Sequence, residues 1–233
     1  MKKIFMMAAL TLFPIFAVAQ GQGAHRSSNT DTGSCPDSNH PHMIDLGLPS
    51  GTKWACCNVG SSKPEDYGKM FAWGETSAKD TYDESTYRWY NGSSSAMVKY
   101  NNDSSRGTVD NKTRLDMDDD AARANWQGSW RMPTIAELEE LKANCTYTWT
   151  TVNGIKGGKF TSRSNGRSIF LPAAGWRYGV TRRSRGENGN CWSSSLDESN
   201  PVSARYFSFS PDGADTDSDD RYDGMSVRPV LGR

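Results

Sequence analysis

Short apolar runs separated by turn residues begin at Met43 and recur along the rest of the chain. Residues 44–48 and 53–59 are the first two runs, and a Pro-Ser-Gly turn separates them. Runs of this length that are bounded by turn residues are typical of β-strands. The pattern therefore predicts two strands at the start of a folded region, followed by one short strand at residues 70–73.

The C-terminal half of the chain has a clearer strand pattern. Residues 147–152, 159–162 and 168–172 are separated by Asn153-Gly154 and Asn165-Gly166. Each Asn-Gly pair can adopt the left-handed backbone that a tight hairpin needs. We therefore predict a three-stranded meander here. Further strands are predicted at residues 191–195, 204–210 and 225–230.

Two helices are predicted between these strand regions. The aspartates at 118–120 precede an alanine-rich segment, where carboxylates can cap a helix N-terminus and favour its dipole. Thr134 and Glu137 have the spacing of a capping box. The apolar residues of this second helix recur at steps of three and four: Ile135, Leu138, Leu141 and Cys145. This spacing predicts that Cys145 lies on the buried face.

Residues 74–113 have no clear period, although they carry many Tyr, Trp, Ser, Asn and Gly side chains. We predict a long irregular segment, which either has a role of its own or is pinned by its aromatic side chains.

The N-terminal region differs from the rest of the chain. In residues 1–19, two lysines precede an apolar run and a small-residue cleavage site, as in a secretory signal peptide. Residues 20–42 are polar and predict a disordered tether. All three histidines fall in this tether: His25, His40 and His42. No later apolar run is long enough to span a membrane. We predict export to the periplasm, cell surface or medium, with one folded domain over residues 43–233.

The overall charge is balanced, with 27 basic and 27 acidic residues. The sequence has no basic stripe, so we expect no nucleic-acid partner. Eight Trp, nine Tyr and eight Phe residues in a polar chain predict a core of aromatic side chains between many polar loops.

Several short motifs occur in an order that resembles a known family. They are DLGLPSGTKWA at 45–55, CNVG at 57–60, FAWGE at 71–75, WRMPT at 130–134, NCT at 144–146, WT at 149–150, FLPAAG at 170–175, WSSS at 192–195 and SVRPV at 226–230. Together they resemble the Fibrobacter succinogenes major paralogous domain family of exported Bacteroidetes proteins. The resemblance covers nearly the whole chain after Met43.

This resemblance implies an α+β, C-type-lectin-like fold, related to formylglycine-generating enzymes and to the variable proteins of diversity-generating retroelements. In that fold two helices pack on antiparallel strands. The N-terminal and C-terminal strands, here 44–48 and 225–230, would pair. The loops between the C-terminal strands would form the ligand face.

The chain departs from the family at two cysteines. Cys191 stands where an aromatic residue is common, and Cys56 stands where threonine is commoner. Two disulfide pairings stay open, Cys56 with Cys191 or Cys57 with Cys145. Since the total of five cysteines is odd, at least one thiol has no partner within the chain.

The sequence offers little support for catalysis or metal binding. Residues 43–233 contain no histidine and no Gly-x-Ser-x-Gly motif, which argues against a Ser-His or Cys-His nucleophile unless the tether folds back. The five aspartates of residues 212–220 lack the Gly and Glu of an EF-hand loop, so we predict a solvated acidic loop. We predict structural thiols, no cofactor and no metal.

The C-terminal loops combine Tyr, Arg, Asn and Asp, the composition of recognition loops. The candidate ligand-binding residues are Trp176, Arg177, Tyr178, Arg182, Arg183, Asn188, Asp197, Asn200, Arg205, Tyr206, Asp217, Arg221 and Tyr222. We expect an exported or cell-surface binding module for a glycan or a protein. The alternative is a structural subunit or tip component of a surface assembly, and an enzyme comes third.

Overall fold

The structure, a computed structural model, describes residues 42–231. It is a mixed α+β arrangement, which confirms the predicted class, and its helices are α1 (Ala121–Trp126) and α2 (Ile135–Asn144). The strands are β1 (Met43–Ile44), β2 (Lys53–Ala55), β3 (Met70–Phe71), β4 (Trp130–Arg131), β5 (Cys145–Val152), β6 (Ile155–Ser162), β7 (Ser168–Pro172), β8 (Trp176–Tyr178), β9 (Thr181–Arg183), β10 (Gly189–Leu196), β11 (Ser203–Ser210), β12 (Gly213–Asp220), β13 (Met225–Ser226) and β14 (Val230–Leu231). The predicted signal peptide, His25, Cys35 and His40 lie outside the described residues.

A five-stranded sheet with the order β12-β11-β10-β13-β3 lies between two hydrophobic clusters. On β10, Cys191 packs into one cluster with Phe207, whereas the neighbouring Trp192 packs into the other cluster with Trp73. Successive side chains of a strand point to opposite faces, so β10 contributes to both clusters. This sheet is therefore buried on both faces around β10.

The two ends of the described region meet in a second sheet with the order β1-β2-β14-β4. The predicted pairing of the terminal strands needs correction, because β14 pairs with β2 through Val230 and Trp54, while β1 lies on the far side of β2. Residues 225–230 are also two strands, β13 and β14, in different sheets. Pro229 lies between them and has no N–H to donate, so the ladder cannot continue through it.

The predicted meander is confirmed as β5, β6 and β7. Asn153 and Gly154 have φ angles of 48° and 83°, the left-handed pair that a two-residue hairpin of this type requires. In the second turn Gly166 alone of the Asn-Gly pair takes a positive φ, at 75°.

The predicted acidic loop at residues 212–220 is wrong. This segment is the edge strand β12, which pairs with β11 from Ser210 opposite Gly213 to Ser203 opposite Asp220. Asp215 and Asp217 are exposed on it, and Lys142 of α2 forms an ion pair with Asp215 at 2.7 Å. Aspartate is unfavourable in most strands, but charges on an edge strand prevent association with other sheets.

Both predicted helix caps are confirmed. The Asp120 carboxylate accepts hydrogen bonds from the backbone amides of Ala122 and Arg123 at 2.9 and 3.0 Å. Thr134 and Glu137 form a reciprocal capping box at the start of α2. Leu138 and Leu141 are buried, and the buried Cys145 is the first residue of β5.

The irregular segment at residues 74–113 is confirmed, and a buried arginine holds it in place. Arg221, predicted to face a ligand, is completely buried, which corrects that assignment. Its guanidinium donates to the carbonyls of Lys99, Tyr100 and Pro201 at 2.9 to 3.1 Å. It also lies 5.0 to 5.8 Å from the ring centroids of four aromatic residues: Trp73, Tyr87, Tyr90 and Tyr100. The aromatic side chains therefore surround a cation instead of packing only on each other.

The cysteines differ from both predicted disulfide pairings. Cys56, Cys57, Cys145 and Cys191 are all buried, and no disulfide joins any two of them. His42 is part of the described structure, and its Nδ1 lies 3.8 Å from the Cys56 sulfur. The sequence argued against a Cys-His pair unless the tether folds back, and His42 does lie against the fold here, beside a Cys56 that is only 4% exposed.

Replacement of Arg221 tests its role in holding the irregular segment. We expect Arg221→Met to lower the free energy of unfolding by roughly 3 to 5 kcal/mol, because several buried carbonyls lose their donor. Urea denaturation measures the loss. The control is Arg106→Met, which removes a surface ion pair with Asp103 and should cost less than about 1 kcal/mol. Equal losses for the two variants would contradict the role of Arg221.

The buried thiols give a second test. Burial raises the pKa of Cys145 to about 11 and that of Cys191 to about 12. We expect iodoacetamide at pH 8 to leave both cysteines unmodified in the native protein and to modify both after denaturation without a reductant. Peptide mass spectrometry reads the result, with a pre-reduced sample as the control. A disulfide-linked peptide that contains either cysteine would refute this arrangement.

Candidate functional site

Residues 176–190, which carry six of the candidate ligand-binding residues, contain a short hairpin that is formed by β8 and β9. Arg177 pairs with Arg182, so both side chains lie on one face of the hairpin. Trp176 pairs with Arg183, and both lie on the opposite face. The hairpin therefore presents a basic face and an aromatic face.

Two glycines allow the hairpin to pack closely on its neighbours. A Cβ atom at Gly175 would lie 1.9 Å from the carbonyl oxygen of Arg183. A Cβ atom at Gly224 would lie 2.7 Å from the ring of Tyr82. These contacts leave no room for a larger residue at either position.

Backbone hydrogen bonds attach the hairpin to two distant segments. The amides and carbonyls of Arg177 and Gly224 bond to each other at 2.8 and 2.9 Å. The Gly179 amide donates to the Tyr82 carbonyl at 2.7 Å, and the Tyr82 amide donates to the Gly179 carbonyl at 2.9 Å. Through these bonds the hairpin joins the loop after β12 and the irregular segment 74–113.

A cavity of about 470 Å³, here called the Tyr82 cleft, lies at the basic face of the hairpin. This volume is within the usual range for a small-molecule site. The cleft is lined by Gly68, Lys69, Met70, Ala78, Lys79, Asp80, Tyr82, Arg177 and Arg182. The buried Tyr82 hydroxyl donates to the Met70 carbonyl at 2.7 Å, which fixes the ring in the wall of the cleft.

The positive charge of the cleft is only partly neutralised. Lys79 forms an ion pair with Glu75 at 2.9 Å. Within residues 42–231, in contrast, no salt bridge involves Lys69, Arg177 or Arg182. Asp80 supplies the one carboxylate in the described lining. The Tyr82 cleft therefore has an excess of positive charge.

The two arginines of the cleft have different surroundings. The Arg177 guanidinium donates to the carbonyls of Asp80 and Val180, each at 3.2 Å, and lies 5.2 Å from the Tyr82 ring centroid. Its Nε atom is buried and has no acceptor in the described part of the chain. Burial, and then repulsion from Arg185 and Arg177, lowers the pKa of Arg182. Burial is the larger cause of this shift, and the remainder reflects the like charges of the two neighbouring arginines.

On the aromatic face, Arg183 stacks on two rings. Its guanidinium carbon lies 5.2 Å from the Trp176 centroid and 5.1 Å from the Tyr178 centroid. Tyr178 is exposed, and its ring lies 6.3 Å from that of Tyr222. The structure thus brings together four of the candidate ligand residues, Trp176, Tyr178, Arg183 and Tyr222.

Asp223 is a buried carboxyl group beside this aromatic face. It is 3% exposed, and its Oδ1 has no hydrogen-bond partner among residues 42–231. Burial, and then repulsion from Asp219 and Asp220, raises the pKa of Asp223 to about 8, while the charge of Arg183 acts in the opposite direction. Asp223 therefore holds a proton at neutral pH and can act as a hydrogen-bond donor.

The other predicted ligand residues divide between the sheet and its turns. Tyr206 and Asp217 lie opposite each other on β11 and β12, and the neighbouring Arg205 donates to Thr216 at 3.4 Å. Asp197 accepts from Ser199, and Asn200 donates to Ser203, so both serve the β10–β11 turn. Asn188 accepts from the Gly175 amide through its carbonyl and supports the base of the hairpin.

Sequence reasoning missed one wall of the cleft. Lys69, Lys79, Asp80 and Tyr82 come from segments with no strand or helix pattern. Their only sequence signal is the FAWGE motif at 71–75, which lies between them. Nothing in the spacing relates Tyr82 to Gly179, which it contacts.

Comparisons with known proteins do not assign this site: no family model, no curated protein and no solved structure matches the chain. In the part of the chain that the structure describes, no three His, Cys, Asp or Glu side chains are placed to hold a metal ion. None of the helices at residues 42–231 has the length and apolar content for a membrane crossing.

The raised pKa of Asp223 predicts how stability depends on pH. The folded protein holds this proton up to pH about 8, whereas the unfolded chain releases it near the ordinary value of 3.8. Unfolding between these values releases a proton, so the free energy of unfolding falls as pH rises, by at most about 1.4 kcal/mol per pH unit.

We therefore expect Asp223→Asn to be more stable than the wild type at pH 7 and close to it at pH 4. Urea denaturation at the two pH values measures this difference. Asp212→Asn, at an exposed position, is the matched control and should follow the wild type. If the free energies of unfolding of Asp223→Asn and wild type differ by the same amount at both pH values, the raised pKa of Asp223 is wrong.

Proposed function

We propose that this protein is an exported binding module that holds a glycan in the Tyr82 cleft. The observation that carries the proposal is the cleft itself, a cavity of about 470 Å³ whose cationic side chains are only partly neutralised. Binding sites are concave and carry a few polar groups that fix the orientation of the ligand. Arg177 and Arg182, two of the predicted ligand residues, both line it.

The placement of the hairpin supports recognition. Its backbone bonds from Arg177 to Gly224 and from Gly179 to Tyr82 hold the hairpin in place before any ligand arrives. A site that is already formed loses less conformational entropy on binding, which favours affinity. The exposed Tyr178, on the opposite face of the same hairpin, adds rigid contact area outside the cleft.

We also propose the finer architecture, a C-type-lectin-like fold in the major paralogous domain family. The pairing of β2 with β14 supports it, since this pair joins the two ends of the described region. The hairpin between β7 and β10 is then part of the ligand face. Export is proposed from the signal-like residues 1–19.

A cleft-blocking variant tests the binding function without changing charge. Ala78 is exposed and lines the Tyr82 cleft, so Ala78→Trp fills part of its volume. On an array of neutral and acidic oligosaccharides, we expect the wild type to retain at least one sugar and Ala78→Trp to bind it roughly 10-fold more weakly, the loss of about 1.4 kcal/mol of contact energy.

The matched control is Ala136→Trp, an exposed position on α2 outside the cleft lining. It should bind like the wild type. If the folded wild type retains no sugar, or if both tryptophan variants bind equally well, the proposed function is wrong.

A further inference from the structure

We propose that the Tyr82 cleft selects an acidic sugar, whose carboxylate or sulfate group lies between Arg182 and Lys69. This inference rests on the proposed binding function and adds the chemical class of the ligand. The first observation is the absence of salt bridges at Lys69 and Arg182 within residues 42–231. An anion that entered the cleft would be the counter-ion for both cations.

Repulsion among the arginines supports this assignment. The guanidinium groups of Arg185 and Arg177 act on Arg182, and Arg182 and Arg185 both lie over the Tyr67 ring, at 5.6 and 4.7 Å from its centroid. Ring faces attract cations but leave their hydrogen-bond donors free. The planar donors of a guanidinium match the oxygens of a carboxylate or sulfate, so these unused donors favour an oxyanion.

The cations of the cleft have separate roles. Lys79 is committed to Glu75 and to the Thr86 carbonyl at 3.0 Å. Arg177 donates from Nη2 to the carbonyls of Asp80 and Val180 and from Nη1 to the Lys79 carbonyl at 3.5 Å, so it is a positioning residue that shapes the cleft. Arg182 and the exposed Lys69 are thus the side chains with donors available to a ligand.

Asp80 distinguishes a sugar from a simple polyanion. Its exposed carboxylate lies in the same lining as the cations and would repel a ligand that carries only negative groups. A carboxylate accepts hydrogen bonds from hydroxyl groups. A ligand with hydroxyl groups beside its anionic group therefore fits both parts of the cleft, and acidic sugars have this combination.

Isothermal titration calorimetry with the full chain tests the inference. The probes are a uronate oligosaccharide such as tri-galacturonate, a sulfated oligosaccharide, a neutral oligosaccharide of the same length and a short glutamate peptide. We expect at least one acidic sugar to bind about 10-fold or more tightly than the neutral sugar and the peptide, with affinity that falls as salt rises. Comparison of the uronate and sulfated oligosaccharides shows whether the cleft prefers a carboxylate or a sulfate group.

Two variants assign the contact to the cleft. Arg182→Gln and Lys69→Gln should each weaken binding of the acidic sugar by roughly 10-fold, as expected for the loss of a charge-assisted hydrogen bond. Arg163→Gln makes the same charge change at an exposed position on the β6–β7 turn and should have no effect. Circular dichroism and thermal melting verify that each variant is folded. If one of the two variants does not fold, the other still tests the contact.

The outcomes separate this inference from the proposed function. One outcome is that neutral and acidic sugars bind with equal affinity and that Ala78→Trp weakens the binding of both. That outcome would overturn the inference and leave the binding function intact. Unchanged affinity in both Arg182→Gln and Lys69→Gln, or equal binding of the glutamate peptide, would also overturn the acidic-sugar assignment.

Discussion

Backbone carbonyl groups from distant parts of the chain converge on two buried guanidinium groups, those of Arg221 and Arg228. Arg221 donates to the Tyr100 carbonyl, and Arg228 donates to the carbonyls of Ala55 and Phe170 at 3.1 and 2.9 Å. A buried backbone carbonyl is costly without a donor, and irregular segments supply few donors of their own. Arg221 therefore replaces ladder bonds that the irregular segment 74–113 lacks, and Arg228 joins β2 to β7.

The same interaction connects the core to the candidate site. Arg221 is followed within three residues by Gly224, which bonds to Arg177 of the hairpin. Tyr82 lies in the segment 74–113 that Arg221 holds, and it forms a wall of the cleft. The shape of the cleft thus depends in part on a buried cation outside its lining, because Arg221 holds the segment that carries Tyr82 and precedes the loop that bonds to the hairpin. Asp223, between Arg221 and Gly224, places a protonated carboxyl group in the same loop.

Local signals predicted the elements that depend on local chemistry. The capping box of Thr134 and Glu137 and the turn at Asn153 and Gly154 were both identified correctly, since their hydrogen bonds and backbone angles involve near neighbours. Strand β12 was missed because its stability comes from pairing with β11, which outweighs the low strand propensity of aspartate. For the site, two of the residues singled out by composition, Arg177 and Arg182, line the cleft, and the wall around Tyr82 had no pattern to identify it.

The sequence by itself determined the α+β class, the two capped helices, the meander and the basic and aromatic character of the later loops. Tertiary structure alone decided that Arg221 is buried while Arg182 lines a cleft, although both are arginines in polar segments. It also decided that Tyr82 meets Gly179 and that Cys56 meets His42. The physical reason is that burial and charge pairing depend on which distant segments come into contact, and residue spacing along a chain encodes only near-neighbour geometry.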